Sequence, residues 1–524
     1  MPLPPNVSRE EVERWIGAVV VPPYRPPGGL EPDTPELRPS ADYLRRFPPL
    51  LFVGFGRRLC DGATIDGLEA GARALADECE ELSGRRPVFS ADLERGAGYH
   101  LPGRTLLPPA RTLAEAEAAR PGSIRAAGYL TGLEARAAGI DLVLAPVLDV
   151  NSNPDNPIIS VRAFDTEPGP VGDAAAAFLD GLEAAGAGAS LKHYPGHGDT
   201  ELDSHIALPR VERSMAELEA LELAPWRGFF DRTEARRMGD RLTVMVGHLD
   251  VPALTGEAGL PATLSMRSNA WLAREGFEGV VLSDGLEMLA VADLPDLGVR
   301  ALEAGCDGLL IPVDVEALAG ELFDAVESGR LEVLCLRRAA ERMERMATAL
   351  RERPAPDAAE LERVSGAAGA DLGRELVLAS LGGQPGAAEL RGELGLDPDH
   401  DPGHGSGLRG LEIGGQADLA AALLAAGPDT WKPAGEGPEG SSLLACLGGM
   451  VLAGRGSAGA EGAVEAAARE AVAAARAAGR AVGLAWFGAP EALPAWARDL
   501  PHLWVHAPGP TTMGGLAAFL APPV

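Results

Sequence analysis

Three of the chain's nine histidines fall in one stretch, "SLKHYPGHGDTELDSH" (residues 190–205), beside Lys192, Asp199 and Asp203. Imidazole, ammonium and carboxylate at this density can bind a metal, move a proton or satisfy a buried turn. His193 and His197 have the H-x3-H spacing of a zinc pair, which works best on a helix that aims both rings one way. Pro195, Gly196 and Gly198 interrupt any helix here, so no metal site is expected. His197, flanked by two glycines, reads as a structural residue of a Pro-Gly turn. That reading leaves Lys192 unexplained, because a lysine at a buried strand end is costly unless a ligand or a carboxylate meets it. Asp203 and His205 suit proton transfer. If their loop folds back, the carboxylate accepts a hydrogen bond from one ring nitrogen and raises the basicity of the other. Such a histidine is a competent general acid/base near neutral pH.

A proton relay of this kind needs a nucleophile and something to grip a substrate. Asp284 ends "EGVVLSD" directly before Gly285, so little bulk stands behind its carboxylate. It can serve as a nucleophile, or as the N-cap of the helix beginning "GLEML".

The elements that carry these residues are short apolar runs alternating with helical Ala/Leu/Glu stretches through the first 330 or so residues. The runs predicted as strands are 17–24, 50–55, 87–92, 141–149, 188–193, 242–248, 279–284 and 308–312. Near-continuous Val/Leu runs separated by helices signal a parallel sheet covered on both faces. Eight such units predict a (β/α)8 TIM-type barrel. An open doubly wound sheet would need an early G-x-G-x-x-G loop, and "GFGRRLCDG" (54–62) lacks that spacing. Polar residues end strand after strand: Asp92, Asp149, Lys192 with His193, His248 and Asp284. In a barrel these ends meet on one face. Five in succession favour a shared pocket over unrelated helix caps.

With 524 residues the chain exceeds one ordinary core. The expected domains are a barrel over 1–355, a Pro/Ala/Glu linker over 356–370 and a smaller α/β sandwich domain over 371–524. The latter rests on strand signals in "LVLASL", "LRGLEIGG", "AVGLAWFG" and "HLWVHAPG" around an Ala-rich helix at 461–478. His400 and His404, in "LGLDPDHDPGHGSGLRG", read as solvated loop residues rather than metal ligands. A formal charge of −30 argues against a nucleic-acid partner and against an anionic membrane surface. The five cysteines are scattered and form no C-x-x-C pair, which suits a reducing compartment. The N-terminal residues lack the pattern of a signal peptide, and no apolar segment reaches bilayer length; a cytoplasmic protein is expected.

"LKHYPGHGDTELDSH" resembles the signature of glycoside hydrolase family 3, in its β-N-acetylglucosaminidase branch. "DLVLAPVLDVNSNPDNPIISVRAF" resembles the segment before that signature. "VMVGHLDVPALTGEAGLPATLS" with "LAREGFEGVVLSDGLEM" resembles the nucleophile segment, and "PVFSADLERGAG" an early sugar-binding strand end. The resemblance covers about residues 10–350 in the family's order. It implies a TIM barrel, a carbohydrate substrate, no cofactor and a retaining double displacement. It assigns Asp284 as nucleophile, His205 as acid/base and Asp203 as its orienting partner. Lys192, His193, Asp92 and Arg162 match sugar-binding positions, and His248 lies in a matching motif.

Two positions depart from the pattern. The nucleophile motif usually has a second acidic residue where this chain has Gly285. An arginine usually stands where this chain has His100. The activity implied is that of a retaining β-N-acetylhexosaminidase acting on N-acetylglucosaminides, such as cell-wall fragments. The alternatives are a phosphorylase of the same substrates, a β-glucosidase, a zinc hydrolase and a non-catalytic sugar-binding protein. An imidazole acid/base would tolerate a phosphate acceptor that a carboxylate would repel. The glucosidases of the family normally take their acid/base from elsewhere than the Asp203–His205 pair.

Overall fold

The structure is a computed structural model. It describes residues 7–25, 37–54, 65–101, 103–154, 156–200 and 207–384, together with five strands and a few helical positions beyond them.

Ser8 starts the first helix, Arg9–Val19, with a reciprocal cap: its side chain accepts from the Glu11 amide, and the Glu11 carboxylate accepts from the Ser8 amide. Val12, Ile16 and Val19 are buried at helical spacing. The helix therefore absorbs residues 17–19, which the sequence suggested as strand. Gly17 makes the packing close, since a Cβ there would lie 2.3 Å from the Phe47 carbonyl carbon.

Nine short strands follow: β1 (Val20–Val21), β2 (Pro23–Tyr24), β3 (Leu51–Gly54), β4 (Val88–Ala91), β5 (Leu142–Val143), β6 (Gly188–Tyr194), β7 (Leu242–Val246), β8 (Val280–Ser283) and β9 (Leu309–Leu310). Strands β2 to β8 pair in parallel in chain order. β1 pairs in parallel with β9, and a parallel bridge from Leu282 to Gly308 ties β8 to the approach of β9. β1 and β2 are one passage interrupted at Pro22, whose carbonyl accepts from the Val53 amide. The ring is thereby closed, and the expected barrel is present. β5 is much shorter than the predicted 141–149. Pro146 has no amide hydrogen to give, and pairing resumes as a single bridge at Val147, where the Lys192 amide meets the Pro146 carbonyl at 3.3 Å and the Leu148 amide the Lys192 carbonyl at 2.6 Å.

Every residue of β4, β6, β7 and β8 is buried, as strands covered on both faces must be. Phe52 and Phe89 stack across β3 and β4 with centroids 5.6 Å apart. Tyr194, at the end of β6, stacks on Trp271, meets Trp226 edge-on and donates its hydroxyl to the Ser268 carbonyl at 2.8 Å. Each such aromatic pair adds about 1 kcal/mol beyond its buried area. The strand that carries Lys192 and His193 is thus anchored at its far end.

A second compact unit comprises Leu106–Ile124, Pro157–Phe164 and Ala367–Val524. "LVLASL", expected as a strand, lies within the helix Ala367–Gly383. Leu376, Val377, Ser380 and Leu381 are buried at helical spacing, and Ser380 donates to Glu115 of the helix Ala110–Ala119. The expected linker contains the helix Ala358–Val364 and the start of Ala367–Gly383. The five strands β10 (Leu411–Gly415), β11 (Lys432–Pro433), β12 (Ser442–Gly448), β13 (Val482–Phe487) and β14 (His502–Trp504) form one parallel sheet in the order β11-β10-β12-β13-β14. That is a doubly wound order, in keeping with the expected α/β domain. Val472, Ala473 and Ala477 of the Ala-rich segment are helical; His400 and His404 lie outside the described residues. Among the described residues, no helix is long and apolar enough to cross a membrane.

Candidate active site

All the barrel strands run parallel, so the polar residues that end them gather at one end of the ring. Lys192, on β6, is only 2% exposed. Its ammonium lies 2.6 Å from Asp92 Oδ1 and 2.6 Å from Glu94 Oε1. Two carboxylates thus offset the cost of burying one cation. Asp92, directly after β4, keeps 45% of its side chain exposed, so its carboxylate also reaches solvent.

Asp149 organises the rest of the β6 end. It is fully buried and accepts from the His193 ring at 2.7 Å, the His193 amide at 3.3 Å and the His197 amide at 2.7 Å. Burial alone would raise its pKa. The charge and hydrogen bond of the His193 ring outweigh that, helped by His197, and hold the carboxyl below its ordinary value. An ionised carboxylate only accepts, so His193 Nδ1 donates this hydrogen bond.

His197 is structural, as its flanking glycines suggest. Its Nδ1 meets Thr200 Oγ1 at 2.7 Å, and its carbonyl accepts from Asn156 at 2.8 Å. Gly198 lies hard against the strand-end segment after β5: a Cβ there would sit 1.6 Å from the Val150 carbonyl oxygen. Beyond it, Arg213 bridges Asp199 at 2.7 Å and Glu222 at 3.4 Å. Glu222 is 1% exposed and packs under Gly196. Burial pushes its carboxyl up to about 7, against Arg213, while Asp199 and Asp149 add to the rise. Asp203 and His205 follow in sequence and lie outside the described residues.

Asp284 stands directly after β8. Its amide donates to the Val246 carbonyl at 3.0 Å, and its Oδ1 accepts from the Gly285 amide at 2.8 Å. His248, two residues beyond β7, is completely buried. Its Nε2 lies 3.0 Å from the Gly285 carbonyl and its Nδ1 2.8 Å from Thr263 Oγ1. A carbonyl cannot donate, so Nε2 carries the proton, and the ring props up the Asp284–Gly285 turn. Arg162 stands in the second unit, on the short turn Ser160–Arg162, and donates to the Ile158 carbonyl at 3.0 Å.

Sequence reading gave no role to Asp149 and did not single out Glu94. Asp149 was visible as a polar strand end, but its partners lie over forty residues downstream. Glu94 stands two residues after Asp92, the spacing that keeps two extended residues on one side. Among the described residues, no group of three or more His, Cys, Asp or Glu is placed to hold a metal ion.

Comparison with known proteins agrees with this fold. The model of the glycosyl hydrolase family 3 N-terminal domain matches residues 53–346. A beta-hexosaminidase of Chromobacterium violaceum is 35% identical over 52% of this chain and 75% of its own length. One from Alkalilimnicola ehrlichii is 36% identical over 48% of this chain and 72% of its own. Beta-hexosaminidase A of Pseudoalteromonas piscicida is 35% identical, but the match spans only 36% of that protein. Among solved structures, a family 3 beta-N-acetylglucosaminidase from Paenibacillus sp. str. FPU-7 superposes with a TM-score of 0.75 at 25% identity, covering 97% of this chain and 96% of that one. A beta-glucoside phosphorylase at 15% identity, TM-score 0.74, covering 99% of this chain and 96% of that one, shares the fold. The family match spans more than half of the chain, from β3 to the helix Val333–Arg351, and takes in Asp92, Lys192, His193 and Asp284. The chain belongs to glycosyl hydrolase family 3.

Proposed function

We propose that this protein is a retaining β-N-acetylglucosaminidase, a glycosidase that removes β-linked N-acetylhexosamine by double displacement. The observation that carries the reading is Asp284: a carboxylate at the end of a barrel strand, one oxygen held by the Gly285 amide, on the ring end that also carries Asp92 and Lys192. The names of the beta-hexosaminidase relatives and of the Paenibacillus structure support the choice of sugar.

Asp92 takes sugar hydroxyls by charge-assisted hydrogen bonds, with Lys192 balancing its charge. His193 adds a further glycone contact, and the motif match supports Arg162 as a sugar-binding residue. His205, oriented by Asp203, protonates the glycosidic oxygen while Asp284 attacks the anomeric carbon. The aglycone leaves as an alcohol and a glycosyl ester forms on Asp284. His205 then takes a proton from water, which displaces the ester and regenerates the carboxylate. The scattered cysteines, of which Cys79, Cys306 and Cys335 are free thiols, support work in a reducing compartment on N-acetylglucosaminides such as cell-wall fragments.

The test is turnover of an aryl N-acetyl-β-glucosaminide by wild type, Asp284→Ala and His205→Ala, with and without phosphate. Hydrolysis that is lost in Asp284→Ala and independent of phosphate supports the proposal. Near wild-type turnover by Asp284→Ala overturns the mechanism. A requirement for phosphate reassigns the acceptor and makes the enzyme a phosphorylase.

A further inference from the structure

Gly285 departs from the usual acid after the nucleophile, and the structure shows what occupies the freed space. A Cβ built on Gly285 would lie 2.5 Å from Glu287 Oε2, 2.9 Å from Oε1 and 3.0 Å from the carboxyl carbon. The Glu287 side chain therefore lies back over its neighbour two positions earlier, although the residue is exposed and has solvent to extend into. The turn beneath it is fixed. The Leu286 amide donates to the Leu310 carbonyl at 2.8 Å, the Glu287 amide to the Ile311 carbonyl at 3.1 Å and the Met288 amide to the Gly285 carbonyl at 3.2 Å. His248 holds the same carbonyl from below. No positive φ is recorded at Gly285, so backbone conformation does not demand a glycine here. What glycine supplies is room for the carboxylate.

We propose that Glu287 is a specificity-determining residue of the active site, delivering over Gly285 a carboxylate that accepts a hydrogen bond from a hydroxyl or amide N–H of the bound sugar. The acid missing at position 285 is restored from position 287. This rests on the proposed glycosidase reading. It adds a substrate contact that position-by-position comparison of the motif would not show.

The geometry makes a coupled prediction. A methyl at position 285 meets only the far end of a flexible side chain, so Gly285→Ala folds but displaces the Glu287 carboxylate. The KM and kcat of an aryl N-acetyl-β-glucosaminide are measured for wild type, Gly285→Ala, Glu287→Ala, Glu287→Gln, the double variant Gly285→Ala/Glu287→Ala and the double variant Gly285→Asp/Glu287→Ala. Loss of one charge-assisted hydrogen bond raises KM about tenfold in each single variant, with kcat within about twofold. Gly285→Ala adds nothing once Glu287 is alanine, because the two changes remove one interaction. Gly285→Asp/Glu287→Ala recovers most of the affinity. The proposal is overturned if Gly285→Ala keeps its full effect in the Glu287→Ala background, or if Glu287→Ala leaves KM unchanged. If the wild type does not turn the substrate over, the hydrolase reading fails by itself. The same proteins are then compared by calorimetric binding of N-acetylglucosamine, where the same non-additive pattern is expected and additive losses, or none, overturn the role of Glu287.

Discussion

Asp149 Oδ2 lies 2.7 Å from Nδ1 of His193, and Asp149 Oδ1 lies 2.7 Å from the amide of His197, so one buried carboxylate holds both ends of the "HYPGH" turn. Asp149→Asn keeps the shape but removes the charge that holds the His193 ring. It should cost about 2–4 kcal/mol in denaturant unfolding and at least about tenfold in kcat/KM. Because the Asp149 carboxyl titrates below its ordinary value, its stabilising contribution is present above the usual carboxylate range and is lost as pH falls through the lowered value. The acid limb of the wild-type stability curve should therefore be less steep in Asp149→Asn. An unchanged limb would remove Asp149 from this role.

Lys192 balances two carboxylates. In Lys192→Met the Asp92 and Glu94 charges face each other without it, and about 1–3 kcal/mol of stability should go, tempered by the exposure of Asp92. Adding Glu94→Gln should return part of the stability but none of the activity, since the glycone contact stays broken. Recovery of activity in the double variant would show that Lys192 serves structure alone.

Gly198 has the tightest constraint in the turn, with 1.6 Å between a would-be Cβ and the Val150 carbonyl oxygen. Gly198→Ala must push the following segment, which leads to Asp203 and His205, off its seat. Turnover should fall about hundredfold, as misplacement by an ångström suffices for that. Circular dichroism should still report a folded barrel. Turnover within about twofold of wild type would mean that this register is not needed for catalysis.

Glu222 gives a pH dependence of opposite sign to that of Asp149. Burial raises its carboxyl to about 7 and those of Asp141 and Asp307 to about 6. The folded state therefore binds protons that the unfolded state has released. Stability supplied this way is present below the ordinary carboxylate range and drains away as pH rises through about 6–7. Glu222→Gln should flatten that decline and gain on the order of 2 kcal/mol over wild type near pH 8. Parallel stability curves for the two proteins between about pH 5 and pH 8 would contradict it.

The barrel was legible because strands buried on both faces leave unbroken Val/Leu runs, and because polar residues close those runs. Local signals misled where burial had a different source. Residues 17–19 look like strand but complete a capped helix, and "LVLASL" is the buried face of a helix. "SSLLACLGG" hid β12, the centre of the second sheet, among flanking glycines. At the site, residue types at strand ends pointed to Asp92, Lys192, His193 and Asp284. They could not reveal that Asp149 serves two residues far along the chain, or that His248 spends both ring nitrogens on protein groups. Those facts come from which strands are neighbours. Likewise Gly285 read only as a departure from the motif, because nothing in a linear motif shows a side chain folding back over it.

The second compact unit is drawn from three separate lengths of chain, two of them excursions from within the barrel's own sequence. Its helix Ala110–Ala119 lies against Ala367–Gly383, with most of the barrel encoded between them. A gene fragment for residues 367–524 does not encode that unit, and no single crossover could append it to a barrel or strip it away intact. In evolutionary terms the two units have to be inherited together. A substitution on one of those helices exerts selection on the other across the length of the catalytic domain.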